Sequence, residues 1–404
     1  MRIAFIGSYI PRRCGIATFT ADTVAAVRAA DPAVGCAVFA IDEPGRAPRT
    51  YDSTVVGRIE QGDPNSYRQA AAAINASSAD VVSVQHEFGL YGTHQGGTYH
   101  DHLRGFLETV RRPVVTTLHT VLPAPEPWMR ESLRAIASLS TRTVVMVETA
   151  ARILRENYGL SQGVEVIPHG MPAVGSLRGQ HSKDQLGLAG RTVVSTFGLV
   201  DPRKGLEYAI EAMPLVVQHH PDALYVIIGQ THPELVRSEG EGYREKLEAL
   251  VARLGLAGHV AFVNRYISQR EILDYLVASD VYVTPYLDPN QITSGTLAYA
   301  MGAGKAIVST PYLHAREALA QGRGVLVGFR DPLAIARAVN MLLEHPARRA
   351  RLARAVAAFS AETAWPVIGQ RVLVLMRASA RLSGPRTEPT GPRSEPAATL
   401  GLAR

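Results

Sequence analysis

A chain of 404 residues, 46% of them hydrophobic, is long enough for two ordinary domains, each with a core of its own. The net charge of +6 is spread over dispersed Lys and Arg; it gives no footprint for nucleic acid and fits an anionic substrate, an anionic membrane surface or a solvated exterior equally well. Two cysteines, Cys14 and Cys36, exclude a disulfide framework or a Cys-based metal site and point to a reducing, cytoplasmic compartment.

In chain order, RIAFIG reads as a buried strand, SYIPRRCG as a loop and ATFTADTVAAVRAA as a helix. The opening residues lack the apolar run of a signal peptide, and no later run approaches the ~20 residues that span a bilayer. VGCAVFAID, DVVSVQHE, PVVTTLHTV and TRTVVMVE follow as strands, with helices such as RESLRAIASL between them. Apolar strands alternating with helices imply a parallel sheet covered on both faces.

A second series begins near residue 190. RTVVSTFG, ALYVIIGQ, HVAFVN, VYVTPY, AIVST and GVLVGF read as strands, and LEYAIEAMPLVVQHH, EKLEALVARLG, QREILDYLVAS and PLAIARAVNMLLEH as helices. The expected layout is two Rossmann-like, doubly wound α/β domains, residues 1–175 and 190–362, facing a cleft. A helical segment, 363–382, carries a Trp–Pro break, and residues 383–404, rich in Pro, Gly, Ser and Thr, read as a disordered tail.

The most informative stretch is residues 278–312. The loop after VYVTP ends in Thr293, Ser294 and Gly295, natural helix-start residues, and TLAYAM continues as a short helix. A helix start offers free N–H groups and a partial positive charge to an anion. This stretch resembles retaining glycosyltransferases of family 4, which have the GT-B fold. There an acidic residue, seven others and then Glu-Ala-Met-Ala-x-Gly-x-Pro form the motif; here Gln291 stands for the acidic residue and Tyr299 for the Glu. Both carboxylates are replaced by uncharged groups that still hydrogen-bond. A changed donor, a rebuilt site and lost catalysis are the competing explanations.

The resemblance covers roughly residues 1 to 380 and implies further site residues. FGLVDPRKG is similar to the family's Gly-Arg-x-x-x-x-Lys-Gly phosphate motif, with Leu199 where Arg is usual and Lys204 kept. Lys204 would clamp the donor diphosphate, and Arg203 or Arg265 would supply the missing cation. Thr293, Ser294, Gly295 and Thr296 would join Gln291 and Tyr299 on the donor, with Gly15 approaching its phosphate. His119, after VVTTL, would meet the transferred sugar or the leaving diphosphate. His86, Glu87 and His169 would face the acceptor, and the last helix would cross back to the first domain. Each has a plainer reading as a turn, capping or core residue.

His94, His100, Asp101 and His102 lack metal-ligand spacing, and no D-x-D occurs, so no metal and no cofactor is expected. Walker, G-x-S-x-G and G-x-G-x-x-G patterns are likewise absent from the expected positions. The leading expectation is a retaining, metal-independent transferase that moves a sugar from a nucleotide sugar to a carbohydrate or lipid-linked acceptor. The alternatives are a GT-B enzyme that uses a sugar phosphate and a non-catalytic sugar- or nucleotide-binding protein.

Overall fold

The computed structural model describes residues 1–46, 49–95, 98–174 and 179–382. The tail at 383–404, Gly96, Gly97 and the side chain of His94 lie outside the described residues.

The first sheet takes seven parallel strands: β1 (Arg2–Gly7), β2 (Gly35–Asp42), β3 (Val55–Glu60), β4 (Val81–His86), β7 (Val114–Leu118), β8 (Arg142–Val145) and β9 (Val164–Val166), in the order β3-β2-β1-β4-β7-β8-β9. A short antiparallel hairpin, β5 (Gly92–Gln95) and β6 (Thr98–Asp101), stands apart from it. The second sheet takes six parallel strands: β10 (Thr192–Phe197), β11 (Ala223–Ile228), β12 (Val260–Val263), β13 (Val281–Thr284), β14 (Ala306–Ser309) and β15 (Val325–Leu326), in the order β12-β11-β10-β13-β14-β15. The two sheets are separate, as the doubly wound reading requires. Strands β4 and β11 are buried at every position because helices cover both faces, which is why β11 runs apolar rather than alternating.

Each sheet reverses its winding once, between β1 and β4 and between β10 and β13. At such a point the loops leaving neighbouring strands run to opposite faces and open a crevice beyond the carboxyl ends. Helix starts are fixed locally. Ser268 and Glu271 form a reciprocal capping box at the Gln269–Ala278 helix, and the Cys14 thiol accepts from the N–H of Ala17 at 3.4 Å to start the Gly15–Ala30 helix.

The chain crosses between domains twice, and the two crossings pair with each other. The Met171 N–H donates to the Thr363 carbonyl at 2.9 Å, and the Trp365 N–H to the Met171 carbonyl at 3.1 Å. Beyond this point the Trp365–Arg381 helix lays Ile368, Leu373 and Met376 against Ile3, Phe5, Val24 and Val27 of the first domain. Arg377 meets Asp31 at 2.5 Å on the same face. The Trp–Pro pair lies in the first turn of this helix, where proline is tolerated because the missing N–H would have had no partner. The break falls just before it, at Thr363 and Ala364, after the Pro346–Glu362 helix.

Two features of the sequence reading change. Residues 179–185, which fall between the two expected domains, form a helix that packs on the Gln269–Ala278 helix and is tied by Lys183 to Asp280 at 2.7 Å. The strands β3, β9 and the hairpin carry too few consecutive apolar residues for periodicity to reveal them.

Candidate functional site

The loops that leave β1, β4, β7, β10, β11, β12 and β13 at their carboxyl ends converge between the domains. They enclose a cleft of about 520 Å³ that opens on two neighbouring volumes of about 530 and 370 Å³. Gly15, Glu87, His169, Arg203, Lys204, Arg265, Gln291, Thr293, Ser294, Gly295, Thr296 and Tyr299 all line the main cleft, and His119 lines the third volume. His86 is not brought to any of them. It is 1% exposed, stacks on Tyr91 with ring centroids 5.9 Å apart, and its Nδ1 has no hydrogen-bond partner.

The second-domain wall is mostly backbone. Gly198, after β10, and Gly229, after β11, both take positive φ, at 134° and 137°. A side chain on Gly229 would run into the Gly198 carbonyl, so these two turns pack as bare backbone. Lys204 ends a short 3-10 turn begun by Asp201, whose carboxylate accepts from the Arg203 N–H at 2.8 Å. Gly205 then turns into the next helix with φ of 60°, against the Pro285 carbonyl. The Lys204 ammonium rests 3.7 Å from the centre of the Tyr286 ring, and the Tyr286 hydroxyl bonds Thr296 at 2.5 Å. The aromatic face thereby fixes the cation beside the start of the Gly295–Gly302 helix.

At that helix start the Ser294 hydroxyl accepts from the Leu297 N–H at 3.3 Å, and the Ser294 N–H donates to His314 Nδ1 at 2.8 Å. Burial holds the His314 imidazole neutral, with its pKa lowered to about 3, so Nδ1 stays an acceptor. The first-turn N–H groups of Gly295 and Thr296 remain at the cleft wall. Gln291 bonds the Thr293 carbonyl at 3.1 Å and closes the loop on itself.

The two candidate arginines are less available than the lysine. Arg203 forks onto Asp201 through Nε at 2.9 Å and Nη2 at 2.8 Å. Arg265 is paired with Glu271 at 2.7 Å, and its side chain is 54% exposed.

The first-domain wall is made of buried side chains. His119 Nε2 and Gln85 Oε1 are 3.0 Å apart, and its ring meets the edge of Phe19 at 4.7 Å. His169 Nδ1 lies 2.7 Å from the Gly170 carbonyl, and its Nε2 edge faces Gly295 across the cleft. Burial lowers the pKa of His119 to about 3, helped by His169 and His86, and that of His169 to about 4. Both are neutral hydrogen-bonding groups at pH 7. Glu87 accepts from the Thr120 hydroxyl and the Phe88 N–H, each at 2.9 Å. Its carboxylate keeps an opening to the cleft, yet its poorly solvated surroundings push the pKa up to about 7.

Sequence reasoning missed Asp22, Gln269, Glu317 and His314. Tyr299 donates its hydroxyl to Asp22 of the first domain at 3.1 Å, and Gln269 Nε2 donates to both at 2.8 and 2.9 Å. Glu317 of the second domain accepts from the N–H groups of Glu148 and Thr149 at 2.8 and 2.9 Å, capping a helix of the first. With His314, which lies 20 residues from Ser294, these partners are 20 to 277 residues apart, and none belongs to a local pattern. Of the His and Asp residues noted around position 100, Asp101 caps Leu103 at 2.8 Å and accepts from Ser132 at 2.9 Å, while His102 packs on Tyr67. Among the described residues no group of three or more His, Cys, Asp or Glu is placed to hold a metal.

Residues 191–345, nearly all of the second domain's sheet and site, match the family model of glycosyl transferases group 1. Over 269 residues the chain is 24% identical to a GDP-mannose-dependent monoacylated alpha-(1-6)-phosphatidylinositol monomannoside mannosyltransferase from Corynebacterium glutamicum, covering 63% of this chain and 67% of that one. Over 278 residues it is 26% identical to a phosphatidyl-myo-inositol mannosyltransferase from Mycobacterium leprae, covering 66% of this chain and 67% of the other. The crystal structure of Anabaena HepE in complex with UDP superposes with a TM-score of 0.70 at 18% identity, over 94% of this chain and all of that one.

Proposed function

We propose that this chain, a glycosyltransferase of the GT-B fold akin to family 4, transfers a sugar from a nucleoside diphosphate donor with retention of anomeric configuration and without a metal ion. The observation that carries the reading is Lys204, fixed on the Tyr286 ring beside a helix start and two bare glycine turns. A leaving diphosphate develops charge as the glycosidic bond breaks. Prepositioned N–H groups and one ammonium stabilise that charge without reorganising. The HepE structure holds UDP, and one relative is named for GDP-mannose, which supports a nucleotide sugar as donor and leaves both bases open.

On the opposite wall, neutral His119 and His169 offer hydrogen bonds to sugar hydroxyls. Glu87, titrating near neutrality, is suited to accept a proton from an acceptor hydroxyl. Contacts between the domains, Arg13 to Gln230 at 3.2 Å and Asp22 to Tyr299, hold the walls together and exclude water from the reacting bond. The relatives' acceptors are named as phosphatidylinositol derivatives, so a lipid-linked acceptor, with the protein working at the inner face of a membrane, fits alongside a free carbohydrate. No helix among the described residues is long and apolar enough to cross a membrane.

The test is turnover with UDP-, GDP- and ADP-sugars in EDTA, across free sugars, inositols and phosphatidylinositol as acceptors, with product configuration read by proton NMR. Transfer in EDTA with retention is the expected result. Activity abolished by EDTA and restored by Mn²⁺ or Mg²⁺, or an inverted product, overturns it.

A further inference from the structure

Among the carboxylates of the cleft, Asp22 has no part in the proposed transfer step. It stands on the Gly15–Ala30 helix of the first domain and lines the main cleft together with Gln269 and Tyr299 of the second. Gln269 donates to its Oδ1 at 2.9 Å and Tyr299 to its Oδ2 at 3.1 Å. Burial raises the Asp22 pKa, those two hydrogen bonds work against the rise, and no cation is paired with it among the described residues. A carboxylate drawn out of water is costly when no charge balances it and acceptor sites stay empty. Its two oxygens accept about four hydrogen bonds, and the two neutral neighbours supply one each. One acceptor site on each oxygen is left, on a residue that borders the cleft.

The place of Asp22 along the cleft matches one chemistry. Lys204 and Gly295 line both the main cleft and the volume of about 370 Å³ that His119 faces, so a diphosphate held by them sits at the join. Asp22, Gln269 and Tyr299 line the main cleft and not that second volume. A nucleotide sugar carries its two arms on opposite sides of the diphosphate. With the transferred sugar on the His119 side, the nucleoside lies on the side of Asp22. Phe197, Ile228, Ile267 and Ile272 give that end apolar walls suited to a flat base. Tyr299, whose ring is 5.8 Å from that of Phe197, ties the carboxylate to the same end.

We infer that Asp22 holds the ribose of the donor, accepting from its 2′- and 3′-hydroxyls, and that the site therefore takes ribonucleoside diphosphate sugars in preference to 2′-deoxyribonucleoside ones such as those of thymidine diphosphate. This rests on a nucleotide sugar being the donor. A vicinal diol brings two donors to the two oxygens of one carboxylate. Asp22 belongs to one domain and its neighbours Tyr299 and Gln269 to the other, so the bound ribose also ties the two domains across the cleft.

The experiment is calorimetry in EDTA with UDP and GDP and with the counterparts of each that lack the 2′- or the 3′-hydroxyl, on the parent, Asp22→Asn and Asp22→Ala proteins. For the nucleotide that binds, loss of at least one hydroxyl should weaken binding by the parent about tenfold or more, because an acceptor site on the carboxylate is left unmet. Asp22→Ala should weaken the ribonucleotide about tenfold and shrink the discrimination to about threefold or less. Asp22→Asn, which keeps one acceptor oxygen, should fall between the two. Deoxynucleotides bound by the parent as tightly as the ribonucleotide overturn the inference without any variant. Full discrimination retained by Asp22→Ala, whose binding shows that it is folded, also overturns it, because another group then reads the hydroxyls. Nucleotide binding without discrimination leaves the donor reading standing and sinks only this inference. Failure of every nucleotide to bind sinks the donor reading and this inference with it.

Discussion

The wall that the second domain presents to the cleft is built from backbone turns, a helix start and one lysine held on an aromatic ring, each a short contiguous motif although the lysine and its ring come from different loops. The wall that faces it is built from buried imidazoles and a poorly solvated carboxylate, and His119 and Glu87 are each held by a partner 34 and 33 residues away. Under the proposed function, the difference follows from what each wall would meet. A diphosphate presents much the same charge whatever sugar it carries, so N–H groups and a fixed cation suffice. A sugar or an acceptor differs in its hydroxyls, and only side chains can discriminate those. Changes to the second wall should therefore act on catalysis broadly, and changes to the first should act on choice of substrate or on domain contact.

The largest effect is expected at Lys204. Lys204→Ala should lower kcat by about 10²-fold or more, roughly 3 kcal/mol of transition-state stabilisation, with every donor tried. Its unfolding midpoint in urea should lie close to the parent's, since the half-buried side chain touches the core through one ring face alone. A folded variant with unchanged kinetics would remove the lysine from the mechanism and with it the contrast between the walls.

That lysine also shows how far the sequence carries. Lys204-Gly205 before a helix and Thr293 to Thr296 at a helix start are contiguous patterns, and the apolar strands around them set the doubly wound sheets, so both the fold and this wall were readable. Asp22, Gln269 and His314 left no such trace. A single Asp on an otherwise apolar helix looks like solvent-facing punctuation until Tyr299 arrives from the other domain. His86 failed the opposite way: it is the last residue of β4, and pleating turns it inward onto Tyr91 while Glu87 takes the cleft.

Tyr299 joins the two walls and should give the next effect. Tyr299→Phe leaves Asp22 with only Gln269, at a cost of about 1–3 kcal/mol for the lost partner. KM for the donor should rise several-fold with a smaller change in kcat, and Asp22→Asn should resemble it. Restoring carboxylates with Gln291→Glu and Tyr299→Glu should not accelerate transfer, because the second would face Asp22. A faster double variant beside silent single truncations would mean that these positions are idle remnants. Arg265→Ala should change kcat by less than about tenfold, since Glu271 already holds that guanidinium at an exposed rim. A loss as large as that of Lys204→Ala would move Arg265 into the phosphate site.

The buried imidazoles and Glu87 should also part in their response to acid. His86, His119, His169 and His314 have folded pKa values lowered to about 3 or 4 by burial, against about 6.5 unfolded. Such groups contribute stability that is present above pH 6.5 and lost progressively as pH falls towards 3 to 4. Glu87 runs the other way: its raised pKa costs stability as pH climbs from about 4.5 to about 7. Urea midpoints followed from pH 8 to pH 4 should fall on the acid side, and His119→Asn should flatten that fall. Glu87→Gln should steepen the net change between pH 7 and pH 5 by removing the opposing group. A midpoint insensitive to pH, or one flattened by Glu87→Gln, would contradict the burial assigned to these side chains.

The central claim is that the second-domain wall holds a nucleoside diphosphate without a metal. Calorimetric titration of UDP and GDP into the parent and Lys204→Ala proteins, in EDTA throughout, tests it most directly. One nucleotide should bind the parent with unit stoichiometry, and Lys204→Ala should weaken that binding by tenfold or more. Failure of both nucleotides to bind without added Mn²⁺ or Mg²⁺, or equal affinity in the two proteins, would contradict the account.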